Sequence, residues 1–170
     1  MAIQAVLFDL DNTLTHRDLS IEAYSRYLHQ VYAHSLAHDQ VTDITAIIKH
    51  IDQGGYPQKE LLTHPSIAAS VAYALQHQLV WTHTPHVDEL TQFWFKHFGS
   101  CAVPMLGAQD LLQQLKQQGF KLGVISNGTH QSRLNILQGL GFLDYFDVVY
   151  SSELVGVAKP NAEIFLHTAQ

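Results

Sequence analysis

Apolar residues follow two different spacings along the chain. Residues 3–9 form a short apolar run that leads directly into the polar sequence Asp-Leu-Asp-Asn-Thr, which predicts a buried strand ending in a loop. From about residue 19 to residue 100, apolar side chains recur every three or four positions, as on one face of a helix. Because none of these faces can be buried alone, we predict that the helices pack together as a bundle.

After Pro104 the pattern changes to alternating strands and helices. A second apolar run covers residues 121–126 and a third covers residues 146–150, with a short helical stretch between them. Pro160 is placed to open a last helix. Strands that alternate with helices predict an α/β fold with a parallel, doubly wound sheet and right-handed crossovers.

The length of 170 residues fits one core domain with a modest insertion. We predict a sheet core formed by residues 1–15 and 101–170, with residues 16–100 inserted as a helical domain. The hydrophobic fraction of 46% lies in the range of globular proteins and excludes a largely disordered chain.

Charge and composition exclude several classes of protein. The formal net charge is −6, so a surface that coats nucleic acid is not expected. No stretch approaches the roughly 18 consecutive apolar residues of a membrane-spanning helix, and the amino terminus lacks the basic start of a signal peptide. The single cysteine, Cys101, excludes an internal disulfide and a cysteine-based metal cluster. We therefore expect a cytoplasmic protein with no nucleic-acid or membrane partner.

Side chains that can take part in catalysis occur at or near the ends of the predicted sheet elements. Asp9 and Asp11 follow the first strand. Ser126 and Asn127 lie at the end of the second strand, and Lys159 precedes the last helix. The carboxyl ends of parallel strands line one crevice, so we expect these groups to converge there. Two carboxylates, a hydroxyl and an ammonium suit a reaction in which a carboxylate attacks an anion and a lysine neutralises the developing charge.

Three segments that carry these residues resemble the motifs of the haloacid dehalogenase (HAD) superfamily. Phe8–Thr15 resembles motif I, Val124–Gly128 resembles motif II, and Gly156–Phe165 resembles the motif III region. The helical insertion after motif I resembles the family's cap domain of the first type. The resemblance covers essentially the whole chain and implies a Rossmann-like core with an inserted helical cap.

The resemblance implies catalytic roles for four side chains. Asp9 would be the nucleophile that attacks phosphorus and forms an aspartyl-phosphate. Asp11 would protonate the leaving oxygen and then activate the water that hydrolyses this intermediate. Ser126 would donate a hydrogen bond to a phosphoryl oxygen, and Lys159 would pair with Asp9 and the transferring oxygens.

The resemblance also implies a bound Mg²⁺ ion and a set of phosphate-binding amides. A carboxylate oxygen of Asp9 and the backbone carbonyl of Asp11 would hold the ion, which prefers oxygen ligands. The amides of the loop from Leu10 to Asn12, together with that of Asn127, would bind the phosphoryl group. The implied partner is a small phosphorylated metabolite, such as a nucleoside monophosphate, a sugar phosphate or glycolate phosphate.

The identity of residue 11 narrows the reaction within the family. Dehalogenase members lack a second aspartate at this position, and the phosphonate-cleaving branch also differs there. Asp11 therefore favours phosphate-ester hydrolysis or a phosphomutase, and the sequence Asp11-Asn12-Thr13 favours a phosphatase or nucleotidase. Two alternatives stay open: an inactive or impaired remnant with a binding or regulatory role, and a phosphomutase.

The family's fourth motif, an acidic loop after a fourth strand, has no counterpart in these 170 residues. This loop supplies further Mg²⁺ ligands in the family, so the core is expected to be incomplete at its carboxyl terminus. In the family's strand order the fourth strand lies beside the first, so residues 5–8 are expected to form an open sheet edge. We predict that the chain is a truncated form of a longer phosphatase, or that a second copy covers this edge in a homodimer.

Overall fold

The structure is a computed structural model that describes residues 3–168. The chain divides into two compact units: Met1–His16 with Val103–Gln170, and Arg17–Ala102. We refer to the first as the α/β unit and to the second as the helical unit. The boundaries between them lie one or two residues from the predicted positions.

The α/β unit is built on a three-stranded parallel sheet with the first strand in sequence at one edge and the second in the middle. The strands are β1 (Ala5–Phe8), β2 (Lys121–Ser126) and β3 (Val148–Ser151). This sheet confirms the predicted α/β fold with parallel strands. The predicted start of β3 was wrong, because the strand begins at Val148, two residues after the start of the apolar run 146–150.

Eight α-helices occur within residues 3–168, four in each unit. Their bounds are α1 Arg17–Val31, α2 Val41–Asp52, α3 Ile67–Gln78, α4 Val87–His97, α5 Ala108–Gln117, α6 His130–Gly139, α7 Ser152–Val155 and α8 Ala162–Thr168. The sequence pattern predicts all of them except the short helix α7. No helix in the described part of the chain combines the length and the apolarity that crossing a membrane requires.

Strand β2 forms the centre of the α/β core because it has a neighbouring strand on each side. Its residues Val124 and Ile125 are buried. Gly123 lies opposite Leu7 on one neighbour and Val148 on the other. A Cβ at Gly123 would lie 2.7 Å from Cδ2 of Leu7, so the missing side chain lets the flanking residues close over the strand. This packing fixes the strand register and therefore the position of the strand's carboxyl end.

Strand β1 is an edge strand of this sheet. Among the described residues it pairs only with β2, and its residue Leu7 is exposed. The sheet edge that the sequence led us to expect is therefore open in this part of the chain. Coverage of the edge by a further strand or by a second copy stays a prediction.

The helical unit is held together by an aromatic cluster and a buried ion pair. The ring of Tyr24 contacts those of Trp94 and Phe98, at centroid distances of 4.9 and 5.6 Å. Arg17 donates from Nε and Nη2 to the two carboxylate oxygens of Asp52, at 3.1 and 2.6 Å. Its guanidinium carbon also lies 4.6 Å from the centre of the Phe98 ring. Helices α1 to α4 pack in sequence order, each against the next, as in a bundle.

Candidate active site

The carboxyl ends of β1 and β2 carry most of the side chains that the sequence singles out. Asp9 and Asp11 lie in the loop after β1, and Ser126 is the last residue of β2. Lys159 lies in the connection between α7 and α8. Because the strands are parallel, their carboxyl ends lie at one edge of the sheet, and this topology brings the residues together.

Lys159 and Asp9 form the first of two ion pairs at this edge. Nζ of Lys159 donates to Oδ1 of Asp9 at 2.6 Å and to the backbone oxygen of Ile125 at 2.9 Å. The backbone N–H of Leu10 donates to the same carboxylate oxygen at 2.7 Å. Within residues 3–168, no hydrogen bond is made to Oδ2 of Asp9. The carboxylate of Asp9 is therefore oriented through Oδ1, and Oδ2 is left to contact a ligand.

The side chain of Asn127 anchors Lys159. Its Oδ1 accepts from the backbone N–H of Lys159 at 2.8 Å, and its Nδ2 donates to the backbone oxygen of Lys159 at 3.2 Å. These paired bonds fix the Lys159 backbone beside the end of β2, although the two residues are 32 positions apart in sequence. We expected only the backbone amide of Asn127 to take part in the site, and the contact made by its side chain was missed.

Arg133 and Asp11 form the second ion pair. Nη1 of Arg133 donates to Oδ2 of Asp11 at 2.6 Å and to Oγ of Ser126 at 3.3 Å. Arg133 lies in the first turn of α6 and is only 8% exposed. Arg133 was not predicted as a site residue, because a single arginine in a polar helix is usually a surface side chain. Its position in the first turn after β2 places it near the edge where ligands bind, but the sequence does not show that its side chain reaches Asp11.

The loop after β1 uses the amides that were predicted to bind phosphate. The N–H of Leu10 bonds to Asp9, and the N–H of Asn12 donates to the backbone oxygen of Thr15 at 2.8 Å. Asn12 adopts a left-handed conformation with φ of 59°, which tightens this turn. The loop thus closes on itself through these donors, and phosphate binding by the amides of Leu10 and Asn12 stays a prediction. A phosphoryl oxygen would have to replace or share their present partners.

Two acidic and two basic side chains meet at this edge of the sheet. Asp9 pairs with Lys159, and Asp11 pairs with Arg133. A phosphoryl group brought here would meet two cations able to stabilise negative charge, together with the hydroxyl of Ser126. It would also meet a carboxylate oxygen of Asp9 that is available for nucleophilic attack.

The oxygen donors at this edge suit a hard cation. A carboxylate oxygen of Asp9 and the backbone carbonyl of Asp11 are both oxygen ligands, which Mg²⁺ prefers. Within residues 3–168, no group of three or more histidine, cysteine, aspartate and glutamate side chains is arranged to hold a metal ion. Because Mg²⁺ usually keeps several of its waters, two protein oxygens are compatible with it.

Sequence comparison decides the family. A family model described as a haloacid dehalogenase-like hydrolase matches residues 3–170. The chain belongs to this family. The match confirms the resemblance seen in the three motifs, and it agrees with the parallel sheet of the α/β unit.

Relatives with named activities cover part of the chain or extend beyond it. The chain is 34% identical to pyrimidine 5'-nucleotidase YjjG of Escherichia coli over 87 residues, which is 50% of this chain and 38% of that protein. It is 27% identical to pyrophosphatase PpaX of Bacillus cereus over 167 residues, which is 96% of this chain and 66% of that protein. The chain thus spans only part of the length of these two relatives.

A solved HAD structure shares the fold. The magnesium-bound crystal structure of the HAD-hydrolase YfnB from Bacillus subtilis matches this chain with a TM-score of 0.69. The match covers 99% of this chain and 72% of that one at 20% sequence identity. At this level of identity the similarity shows a common fold.

Proposed function

We propose that this HAD hydrolase is a cytoplasmic, Mg²⁺-dependent phosphomonoesterase that acts on a small phosphorylated metabolite through an aspartyl-phosphate. The arrangement of Asp9 carries the proposal: Lys159 holds one carboxylate oxygen, while the other has no hydrogen-bond partner within residues 3–168. An oriented carboxylate beside an ammonium suits attack on a phosphoryl dianion. Relatives named as a nucleotidase and a pyrophosphatase support hydrolysis at phosphorus.

In the first step, Oδ2 of Asp9 forms a bond to phosphorus while the bond from phosphorus to the ester oxygen breaks. Asp11 gives a proton to the leaving oxygen, so that the alcohol departs neutral. Nζ of Lys159 and the hydroxyl of Ser126 bind the phosphoryl oxygens as charge redistributes among them. The products of this step are the alcohol and an aspartyl-phosphate at Asp9.

In the second step, the ionised Asp11 takes a proton from a water molecule whose oxygen attacks the phosphorus. The bond between phosphorus and Oδ2 of Asp9 breaks, and inorganic phosphate leaves. Asp9 is then a carboxylate again and Asp11 is protonated, ready for the next substrate. Held by Asp9 and the carbonyl of Asp11, Mg²⁺ would offset the repulsion between the attacking carboxylate and the phosphoryl dianion.

Release of inorganic phosphate tests this proposal. The substrates are p-nitrophenyl phosphate and a panel of nucleoside monophosphates and sugar phosphates, each assayed with Mg²⁺ and with EDTA. We expect turnover that requires Mg²⁺, and Asp9→Asn should lower it by ~10³-fold or more because the nucleophile is removed. Asp110→Asn changes an exposed aspartate of the same unit and should leave the rate unchanged.

Two results of this assay would contradict the proposal. If the wild-type chain releases no phosphate from any substrate in the panel, the inactive remnant with a binding role is the better description. If phosphoryl groups move between positions of a sugar phosphate with little release of inorganic phosphate, the protein is a phosphomutase.

A further inference from the structure

Arg133 is the only arginine of the α/β unit, and its side chain is nearly buried. Its hydrogen bonds through Nη1 reach Asp11 at 2.6 Å and Ser126 at 3.3 Å. These are the residues assigned above to proton exchange and to phosphoryl binding. The guanidinium therefore contacts two groups of the proposed chemistry, and no family motif quoted above contains it.

The loop after β2 leaves room for this guanidinium. Gly128 has a φ of +128°, and a Cβ there would lie 3.3 Å from Cζ and 3.4 Å from Nε of Arg133. Both the backbone conformation and the close approach favour glycine at this position. A Cβ at residue 128 would therefore require the guanidinium to shift by a few tenths of an ångström.

The pairing of the guanidinium is incomplete. Nε of Arg133 is buried and has no hydrogen-bond partner within residues 3–168. Burying a polar donor without a partner costs free energy, so such a group in a folded protein calls for an explanation. In the described part of the chain Asp11 is the one carboxylate that Arg133 pairs with. The ion pair of Arg133 is therefore made with Asp11, the residue that exchanges protons in the proposed reaction.

We propose that Arg133 is a positioning residue that orients Asp11 and Ser126 for phosphoryl transfer, an inference that rests on the proposed function. Because Arg133 donates to Oδ2 of Asp11, it fixes the orientation of the carboxyl group that exchanges protons with the leaving oxygen and with water. Because it also donates to Oγ of Ser126, the hydroxyl proton points away from the guanidinium. That hydroxyl now donates to the backbone oxygen of Asn127 at 3.5 Å, a long bond that a phosphoryl oxygen can replace. One guanidinium nitrogen thus couples the acid–base group to the phosphate donor.

The test compares substrates that differ in their need for a proton on the leaving oxygen. A dinitrophenolate can leave as an anion without being protonated. The alkoxide of an alkyl phosphate must receive a proton in order to leave. For Arg133→Gln we expect kcat/KM to fall ~10²-fold with an alkyl phosphate and less than ~5-fold with dinitrophenyl phosphate. Since kcat/KM reports the steps up to departure of the leaving group, slow hydrolysis of the aspartyl-phosphate does not mask this difference.

Two further variants serve as controls for the comparison of the two substrates. Arg133→Lys keeps the charge and should recover part of the alkyl-phosphate activity, because an ammonium can still pair with Asp11. Arg26→Gln changes an exposed arginine and should leave both substrates unaffected. Equal losses with the two substrates, or no loss with either, would overturn the role of Arg133. Circular dichroism establishes folding, and if Arg133→Gln does not fold, Arg133→Lys must show a smaller difference of the same sign.

A second measurement does not depend on turnover. A guanidinium held by a carboxylate rotates slowly about its Cζ–N bonds, so Arg133 should give resolved side-chain signals in nitrogen-15 NMR spectra. Asp11→Asn should merge or remove these signals, and signals unchanged by this substitution would overturn the proposal. A wild-type chain without turnover rejects the proposed function, whereas an active chain whose Arg133 variants show no leaving-group dependence rejects only the role of Arg133.

Discussion

Each unit of the molecule contains a buried arginine paired with an aspartate, and the two pairs are built differently. In the helical unit, Arg17 donates from Nε and Nη2 to both oxygens of Asp52, whose side chain is 0% exposed. In the α/β unit, Arg133 donates from Nη1 to one oxygen of Asp11, whose side chain is 13% exposed. Nε of Arg133 has no partner among the described residues.

The difference distinguishes an ion pair that stabilises the fold from one that a ligand can approach. Asp52 also accepts the N–H of Gly55 at 2.9 Å, so the carboxylate ties the end of α2 to the start of α1. Removing one member of such a pair leaves an uncompensated charge in the interior, which is costly. The pair of Arg133 and Asp11 keeps contact with solvent, so breaking it should cost less stability and more activity.

Arg17→Met should have the largest effect on stability. The substitution leaves the buried carboxylate of Asp52 without its cation, which we expect to cost about 3–5 kcal/mol of unfolding free energy. Both tryptophans, Trp81 and Trp94, lie in the helical unit, so tryptophan fluorescence during urea unfolding measures this unit. Adding Asp52→Asn should restore part of the loss because it removes the unpaired charge.

Arg26→Met is the matched control on the same helix. Arg26 is exposed, so its replacement should change the unfolding free energy by less than about 0.5 kcal/mol. A double variant of Arg17→Met with Asp52→Asn that is less stable than Arg17→Met alone would show that the cost does not come from an unpaired charge.

Asp11→Asn should cost less stability than Arg17→Met. The guanidinium of Arg133 loses its anionic partner but keeps the bond to Ser126, so we expect a loss of about 1–2 kcal/mol. Urea unfolding followed by circular dichroism measures it. A loss as large as that of Arg17→Met would remove the distinction between the two pairs.

Asn127→Ala tests the anchor of the other cation at the site, Lys159. Losing both bonds to the Lys159 backbone should loosen the hold of Nζ on Asp9 and lower phosphate release about 10-fold. Asn127→Asp keeps the acceptor for the Lys159 N–H and loses the donor, so its rate should lie between those of the wild type and Asn127→Ala. Gln138→Ala, at an exposed position, is the control. Wild-type rates in Asn127→Ala would show that Lys159 needs no anchor.

Asp147 extends the comparison to a more exposed carboxylate and should give the smallest effect. Its side chain is 30% exposed. The N–H of Leu122 at 2.9 Å, followed by the ammonium of Lys116 at 3.0 Å, lowers the pKa of Asp147 from 3.8 to about 2. Because the folded-state pKa is the lower one, the ionised carboxylate stabilises the fold above pH 3.8 and loses this effect as the pH falls toward 2.

Thermal unfolding checks this pH dependence. Asp147→Asn should have a slightly lower Tm than the wild type at pH 7, and the two Tm values should converge as the pH approaches the folded-state pKa of about 2. A difference that persists or grows in acid would mean that Asp147 acts through its shape and not through its charge.

Local sequence signals predict some elements better than others. β2 matches the predicted residues 121–126 at both ends, because an apolar run between a glycine turn and Ser126 has few alternatives. β3 starts later than predicted because the N–H of Phe146 donates to the backbone oxygen of Leu143 in a 3₁₀ turn. Pairing with β2 therefore starts only at Val148. α7 was missed because four residues are too few for a helical pattern, and it depends on Ser151 capping Leu154.

The candidate site divides in the same way. Asp9, Asp11 and Ser126 could be predicted to lie together because each follows or ends a strand, and strand ends meet in a parallel sheet. Arg133 could not, because its approach to Asp11 depends on how α6 is rotated against the loop after β1. The anchor formed by the Asn127 side chain could not either, because its partner is a backbone segment far along the chain, which carries no side-chain signal.

The most direct test of the central claim, that Asp9 is the nucleophile, is rapid acid quenching followed by peptide mapping. The chain is mixed with dinitrophenyl phosphate carrying radioactive phosphorus and quenched at increasing times. We predict label on Asp9, no label in Asp9→Asn, and accumulated label in Asp11→Asn, because water is then not activated. Phosphate release without label on Asp9 at any time, or label on another residue, would contradict the account.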